Sequence, residues 1–134
     1  MLKILVAYVA TLIIFAAIDY VWLTQVGPGL YQPIIGSILA PEPRIVPAII
    51  FYLIYIAGIV TFAVAPGLSA GWQSAAIKGA LFGFFAYATY DLTNHATLSV
   101  WATKITVLDM GWGTFVSGAS ATIATIVTRA IVKG

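Results

Sequence analysis

Tyr90-Asp91-Leu92-Thr93-Asn94-His95 gathers an acid, an amide and an imidazole within two helical turns, near the end of an otherwise apolar segment. Two more aspartates, Asp19 and Asp109, also fall inside apolar runs. Carboxyl groups are costly in hydrocarbon and are kept there by a partner or a task. Three kinds of chemistry are open to them. Asp91 can serve as a general acid or base, with Asp109 tuning it and Asn94 or Tyr90 bonding the substrate. The three acids can instead receive the polar end of a ligand, with Trp22, Tyr87, Tyr90, Asn94 and Trp112 completing the pocket. Finally, Asp91 and His95, at i and i+4, could ligate a metal ion with Asp109 or Asp19. Carboxylates with a single imidazole suit manganese or iron better than zinc. Scattered ligands are a weaker pattern than a close-spaced motif, so no metal is expected.

Each residue also has a plain structural role open to it. Buried acids can form a hydrogen-bond network that fixes helix register. A histidine is favoured at a helix end, and Asn94 can cap that end. Tryptophans and tyrosines commonly anchor a membrane interface or fill a core, the reading preferred for Trp101 and Tyr20.

The composition says where such residues sit. Of 134 residues, 62% are hydrophobic and only 7% charged, and the mean hydropathy is +1.06. Soluble domains carry about a quarter charged residues, so an integral membrane protein is indicated. The length suits a single transmembrane domain over residues 1–134. With no cysteine, disulfides, thiolate nucleophiles and thiolate metal sites are excluded. The pI near 9.0 arises from dispersed Lys and Arg that form no patch, which argues against nucleic acid. Lys3 followed by an apolar run superficially resembles a signal peptide, but the run is long and reads as a retained first helix.

Four spans are expected, over about residues 4–23, 46–65, 75–94 and 105–128, each near the roughly 20 residues that cross a bilayer. Gly27, Pro28, Gly29, Pro33, Gly36, Pro41 and Pro43 break the first connection, apart from a short amphipathic turn within 30–39 lying in the interface. Pro66-Gly67 should end the second span, and the short link after it makes spans two and three antiparallel neighbours. The fold class expected is all-α, a membrane-embedded four-helix bundle with both termini on one side. An arrangement with the N-terminus inside places Lys3, Lys78, Arg129 and Lys133 inside and Arg44 and Lys104 outside, which favours cytoplasmic termini.

Depth then aligns the acids. Asp19 lies about 15 residues into the first span and Asp91 about 16 into the third, roughly 23–24 Å from the inner edge. Asp109 lies about four residues into the fourth span, which runs the other way, roughly 6 Å below the outer edge. Three carboxylates thus share one level in the outer leaflet. Gly79-x-x-x-Gly83 and Gly113-x-x-x-Ser117-x-x-x-Ala121 permit close approach of spans three and four, bringing Asp91 and Asp109 to each other or to a shared cavity. Like charges in a dry site do not both stay ionised cheaply. One acid should therefore be protonated, or neutralised by Lys104, Arg44, protonated His95 or a metal ion.

The runs Ala88-Thr89-Tyr90-Asp91-Leu92-Thr93-Asn94, Ala96-Thr97-Leu98 with Trp101, and Asp109-Met110-Gly111-Trp112-Gly113-Thr114 resemble an uncharacterised family of small bacterial multi-pass inner-membrane proteins, a domain of unknown function. Asp19-Tyr20-Val21-Trp22-Leu23 and Phe51-Tyr52-Leu53-Ile54-Tyr55-Ile56-Ala57-Gly58 fit the same pattern, whereas His95 departs from it. The resemblance implies a multi-span inner-membrane protein and assigns no activity, cofactor or site.

The function expected from the residues is binding or handling of a lipid-like or other amphipathic small molecule in an Asp-lined pocket at the outer leaflet. The alternatives are a membrane-embedded enzyme using Asp91 and Asp109 for acid/base chemistry on a lipid-like substrate, or an accessory subunit of a larger membrane complex. Membrane lipids, and either a second copy or a larger assembly, are the expected partners.

Overall fold

The computed structural model describes residues 1–133, and among them every regular element is helical. Helix α1 (Leu2–Val21) passes through a π-type turn, Trp22–Val26, into α2 (Gly27–Leu30). Short α3 (Gln32–Ile35) and a 3-10 turn, Gly36–Ile38, follow. Helix α4 (Ile45–Ile59) continues through a second π-type turn, Val60–Val64, into α5 (Ala65–Ala70). Two long helices, α6 (Trp72–Thr97) and α7 (Thr103–Ile131), complete the chain.

The two π-type turns overturn part of the reading of the prolines. Pro28 and Pro66 were expected to stop their helices, yet each sits in the first turn of a helix that continues the one before. A proline lacks the N–H of an i→i−4 bond, and its ring clashes with the carbonyl four residues back. A wider turn just upstream relieves both problems. The Gly27 N–H bonds to Trp22 O, and the Ala65 N–H to Val60 O, five residues back in each case. The actual stop after the second stretch is Gly71, at φ +112°, a backbone region that glycine alone enters without strain. The link between α5 and α6 therefore shrinks to that one residue.

Three helical stretches are long and apolar enough to cross a membrane: Leu2–Leu30, Ile45–Ala70 and Thr103–Ile131. Large apolar side chains such as Leu5, Ile13, Ile54, Phe62, Val107 and Phe115 point outward from them, as expected where the solvent is hydrocarbon rather than water. The fourth expected span, 75–94, lies within α6. That helix has the length, 26 residues, but it carries Gln73, Lys78, Asp91, Asn94 and His95 and is less apolar than the other three.

The α6–α7 seam is the most extensive contact between elements. A Cβ on Gly79 would lie 2.6 Å from the Ala121 Cβ, and one on Gly83 would strike the Gly113 carbonyl oxygen. Only glycine lets these backbones approach so closely. Helix α7 also packs on α1, while α4 and the turn after it bridge α1 and α6. The shared core includes Phe15, Tyr55, Ile56, Ile59, Val64 and Val116. At the end of the molecule holding the first connection, Leu30 and Ile35 pack on Ile105 with Trp22, Tyr31 and Trp101 around them. The segment read as an interfacial turn thus forms an apolar cap over that end.

Candidate functional site

Beneath this cap lie the three aspartates. Asp19 sits near the C-terminal end of α1, Asp91 near that of α6, and Asp109 near the start of antiparallel α7, so all three come to one end of the molecule. All are buried, and Asp91 is fully so. Their surroundings differ sharply.

Asp19 is saturated. Tyr52, on α4, donates its phenol to Oδ2, and the Trp112 Nε1–H donates to Oδ1 at 3.1 Å. Asp109 is half-used, with Tyr31 from the first connection donating to Oδ1. Tyr31 in turn accepts the Trp22 Nε1–H at 3.0 Å. Burial foremost, then the Asp109 carboxylate, holds the Tyr31 phenol well above its ordinary range, so it remains a donor. The Trp22 and Trp112 rings stack, 4.5 Å apart and within 10° of parallel, joining the two hydrogen-bonded sets into one scaffold. Asp91 has no such support. Its carboxyl lies within hydrogen-bonding reach of the Asp109 carboxyl, and neither of its oxygens has any other partner among the described residues.

Beside Asp109 opens a cleft of about 430 Å³, lined by Phe51, Tyr55, Ala86, Tyr87, Tyr90 and Asp109. Four of these six are aromatic. Tyr55 is held by a 2.8 Å hydrogen bond with Ser117 and packs edge-on against Tyr87, with centroids 6.2 Å apart. Gly113 lets the Tyr87 ring lie directly on the α7 backbone, since a Cβ there would overlap the ring. The wall is therefore fixed by helix packing rather than by loops.

Of the residues singled out in the sequence, Tyr87, Tyr90 and Asp109 line the cleft, and Asp91 lies behind Asp109. Asp19, Trp22 and Trp112 bond and stack with their own neighbours instead. Asn94 is not the helix cap it was expected to be. The helix runs on to Thr97, and the Asn94 carbonyl accepts the Leu98 N–H at 2.9 Å. His95 is separate from the acids, its Nδ1 3.0 Å from the Thr106 hydroxyl, which also accepts the Trp101 Nε1–H at 3.0 Å. Among the described residues no three His, Asp or Glu side chains are arranged to hold a metal ion, so the set Asp91, His95 and Asp109 does not assemble. The suggested counter-ions Arg44 and Lys104 are exposed. The groups bonded to Asp19 and Asp109 are phenols and an indole instead.

Tyr31 and Tyr52 were missed as partners of the acids. Tyr52 had a usable signal. It lies about seven residues into α4 and Asp109 about six into α7, which is about the same depth, roughly 10 Å, from the same end. Tyr31 had none, because the glycines and prolines around it erase any periodicity.

A family model described as "Predicted membrane protein (DUF2177)" matches residues 4–126. The chain belongs to that family. No curated protein and no solved structure matches it. The DUF2177 match runs from the first turn of α1 through most of α7, so all three acids and the whole cleft lie within the matched residues.

Proposed function

We propose that this protein is a four-helix bundle of the bacterial inner membrane that holds an amphipathic small molecule in the cleft beside Asp109. In this reading α6 is the fourth crossing, with Asp91 buried against partner helices, Asn94 and His95 half-buried near its outer end, and the exposed Gln73 and Lys78 in its first two turns, where a lysine can reach the interface. Both termini are cytoplasmic, and the cleft opens toward the outer leaflet. The carrying observation is the pairing of a mostly aromatic cleft of about 430 Å³ with a buried carboxyl at its side. That is the usual make-up of a small-molecule site, apolar walls with a few placed polar groups. Asp109, Tyr87 and Tyr90 contact the ligand, with Asp91 behind them. Asp19, Trp22 and Trp112 hold the scaffold.

The test is mass spectrometry of small molecules retained by protein extracted in a mild detergent, wild type against Asp109→Asn. Asparagine keeps an acceptor for Tyr31 while removing the charge. An amphiphile enriched with the wild type and depleted at least several-fold in the variant is the expected result. Identical molecules on both proteins, in the proportions of the bulk membrane, would count against the reading.

A further inference from the structure

The hydrogen-bonding groups around the acids are unequally matched. Every donor aimed at Asp19 and Asp109 is already engaged: Tyr52 and Trp112 on Asp19, Tyr31 on Asp109, and Trp22 on Tyr31. Acceptors are left over. Both oxygens of Asp91, which has no solvent exposure, lack any partner among the described residues beyond the neighbouring Asp109 carboxyl. Unmet buried acceptors cost stability unless something supplies donors or positive charge. The protein's own cations are not placed to do so. Arg44 and Lys104 are exposed, and His95 lies beside Thr106. The cleft also presents the aromatic rings of Phe51, Tyr55, Tyr87 and Tyr90 alongside the Asp109 carboxylate. Aromatic faces attract organic cations through their quadrupole, most strongly where water is excluded.

Resting on the reading of this cleft as an amphiphile site, we infer that its ligand carries an ammonium head group, bound between the aromatic wall and the Asp91–Asp109 carboxyl pair. The cation neutralises the pair, its N–H or N–CH₃ groups face the rings, and the apolar remainder of the ligand leaves toward lipid past Phe51 and Ala86. An anionic head would meet like charge, and a neutral head would leave the negative charge of the carboxyl pair uncompensated.

The probes are dodecyltrimethylammonium, dodecylamine, an uncharged dodecyl ether of the same chain length, dodecyl phosphate and tetramethylammonium. Each is titrated by tryptophan and tyrosine fluorescence into protein held in an uncharged detergent. The two ammonium amphiphiles should bind at least about tenfold more tightly than the uncharged one, and dodecyl phosphate more weakly still. That preference should fall about tenfold in Asp109→Asn and in Asp91→Asn, and Tyr90→Ala, altering an exposed wall residue, should weaken it without disturbing the fold. Tetramethylammonium binding as well as the amphiphiles would mark a free organic cation as the ligand; binding only with the alkyl chain attached would mark a lipid. Equal binding of charged and uncharged amphiphiles would overturn the head-group inference and leave the cleft reading standing. No saturable binding of any amphiphile would overturn both.

Discussion

At the scale of single residues, three aspartates of the same type do three different jobs because their donors differ. Among the described residues, Asp19 is tied by two phenol or indole donors and Asp109 by one, while Asp91 has only the Asp109 carboxyl beside it. Tyr31 is the most consequential donor, since it serves Asp109 and receives Trp22. Tyr31→Phe strips both bonds from a buried site and should cost about 1–3 kcal/mol, read as a lower unfolding midpoint in detergent. Tyr20→Phe alters a ring that is 67% exposed and should shift stability by no more than about 0.5 kcal/mol. The three acids were legible from the sequence because residue counts along helices convert directly to depth, and because acids are rare in so apolar a chain. The tyrosines were not. A phenol in a membrane helix is as common at an interface as in a network, so its type alone says little about its partner.

The helices themselves were legible at their centres and misread at their ends. Length and hydropathy located each one, and the small-residue pattern named the α6–α7 seam. The ends depended on how proline is accommodated, which the proline itself does not specify. The π-type turns before Pro28 and Pro66 involve residues as ordinary as Leu23 and Thr61. The seam makes a sharp comparison possible between two glycines near it. Gly83→Ala drives a methyl into the Gly113 carbonyl and should destabilise by about 1–3 kcal/mol or separate the helices. Gly111→Ala, on the same α7, meets nothing within 4 Å. It should be neutral, or gain up to about 1 kcal/mol from helix propensity. A thermal-unfolding series on both variants checks the pair. Equal losses would mean that the seam is not the close contact described.

At the scale of the whole molecule, sequence and structure agree on an all-helical membrane protein; among the described residues three stretches are long and apolar enough to cross, and α6, expected as a fourth span, is less apolar. Composition could not show that Asp91, the fully buried acid of α6, is enclosed by the neighbouring helices. The proposed orientation is open to test, since the absence of native cysteine makes single-cysteine labelling clean. Ser37→Cys and Ser99→Cys should react with a membrane-impermeant maleimide applied to the periplasmic side. Ser69→Cys, at the far end of α5, should react only after the membrane is permeabilised. The opposite pattern would invert the molecule and turn the cleft toward the inner leaflet.

Whether a ligand sits in the aromatic cleft beside Asp109 can be read by photolabelling. A photoreactive alkylammonium would be crosslinked to protein in a lipid nanodisc and the modified residues mapped by peptide sequencing. Label should concentrate within 51–55 and 86–90, as a ligand in this cleft requires, and be lost from both in Asp109→Asn. Label distributed over lipid-facing residues such as Leu5, Ile54 and Phe115, and unchanged by that substitution, would contradict that placement.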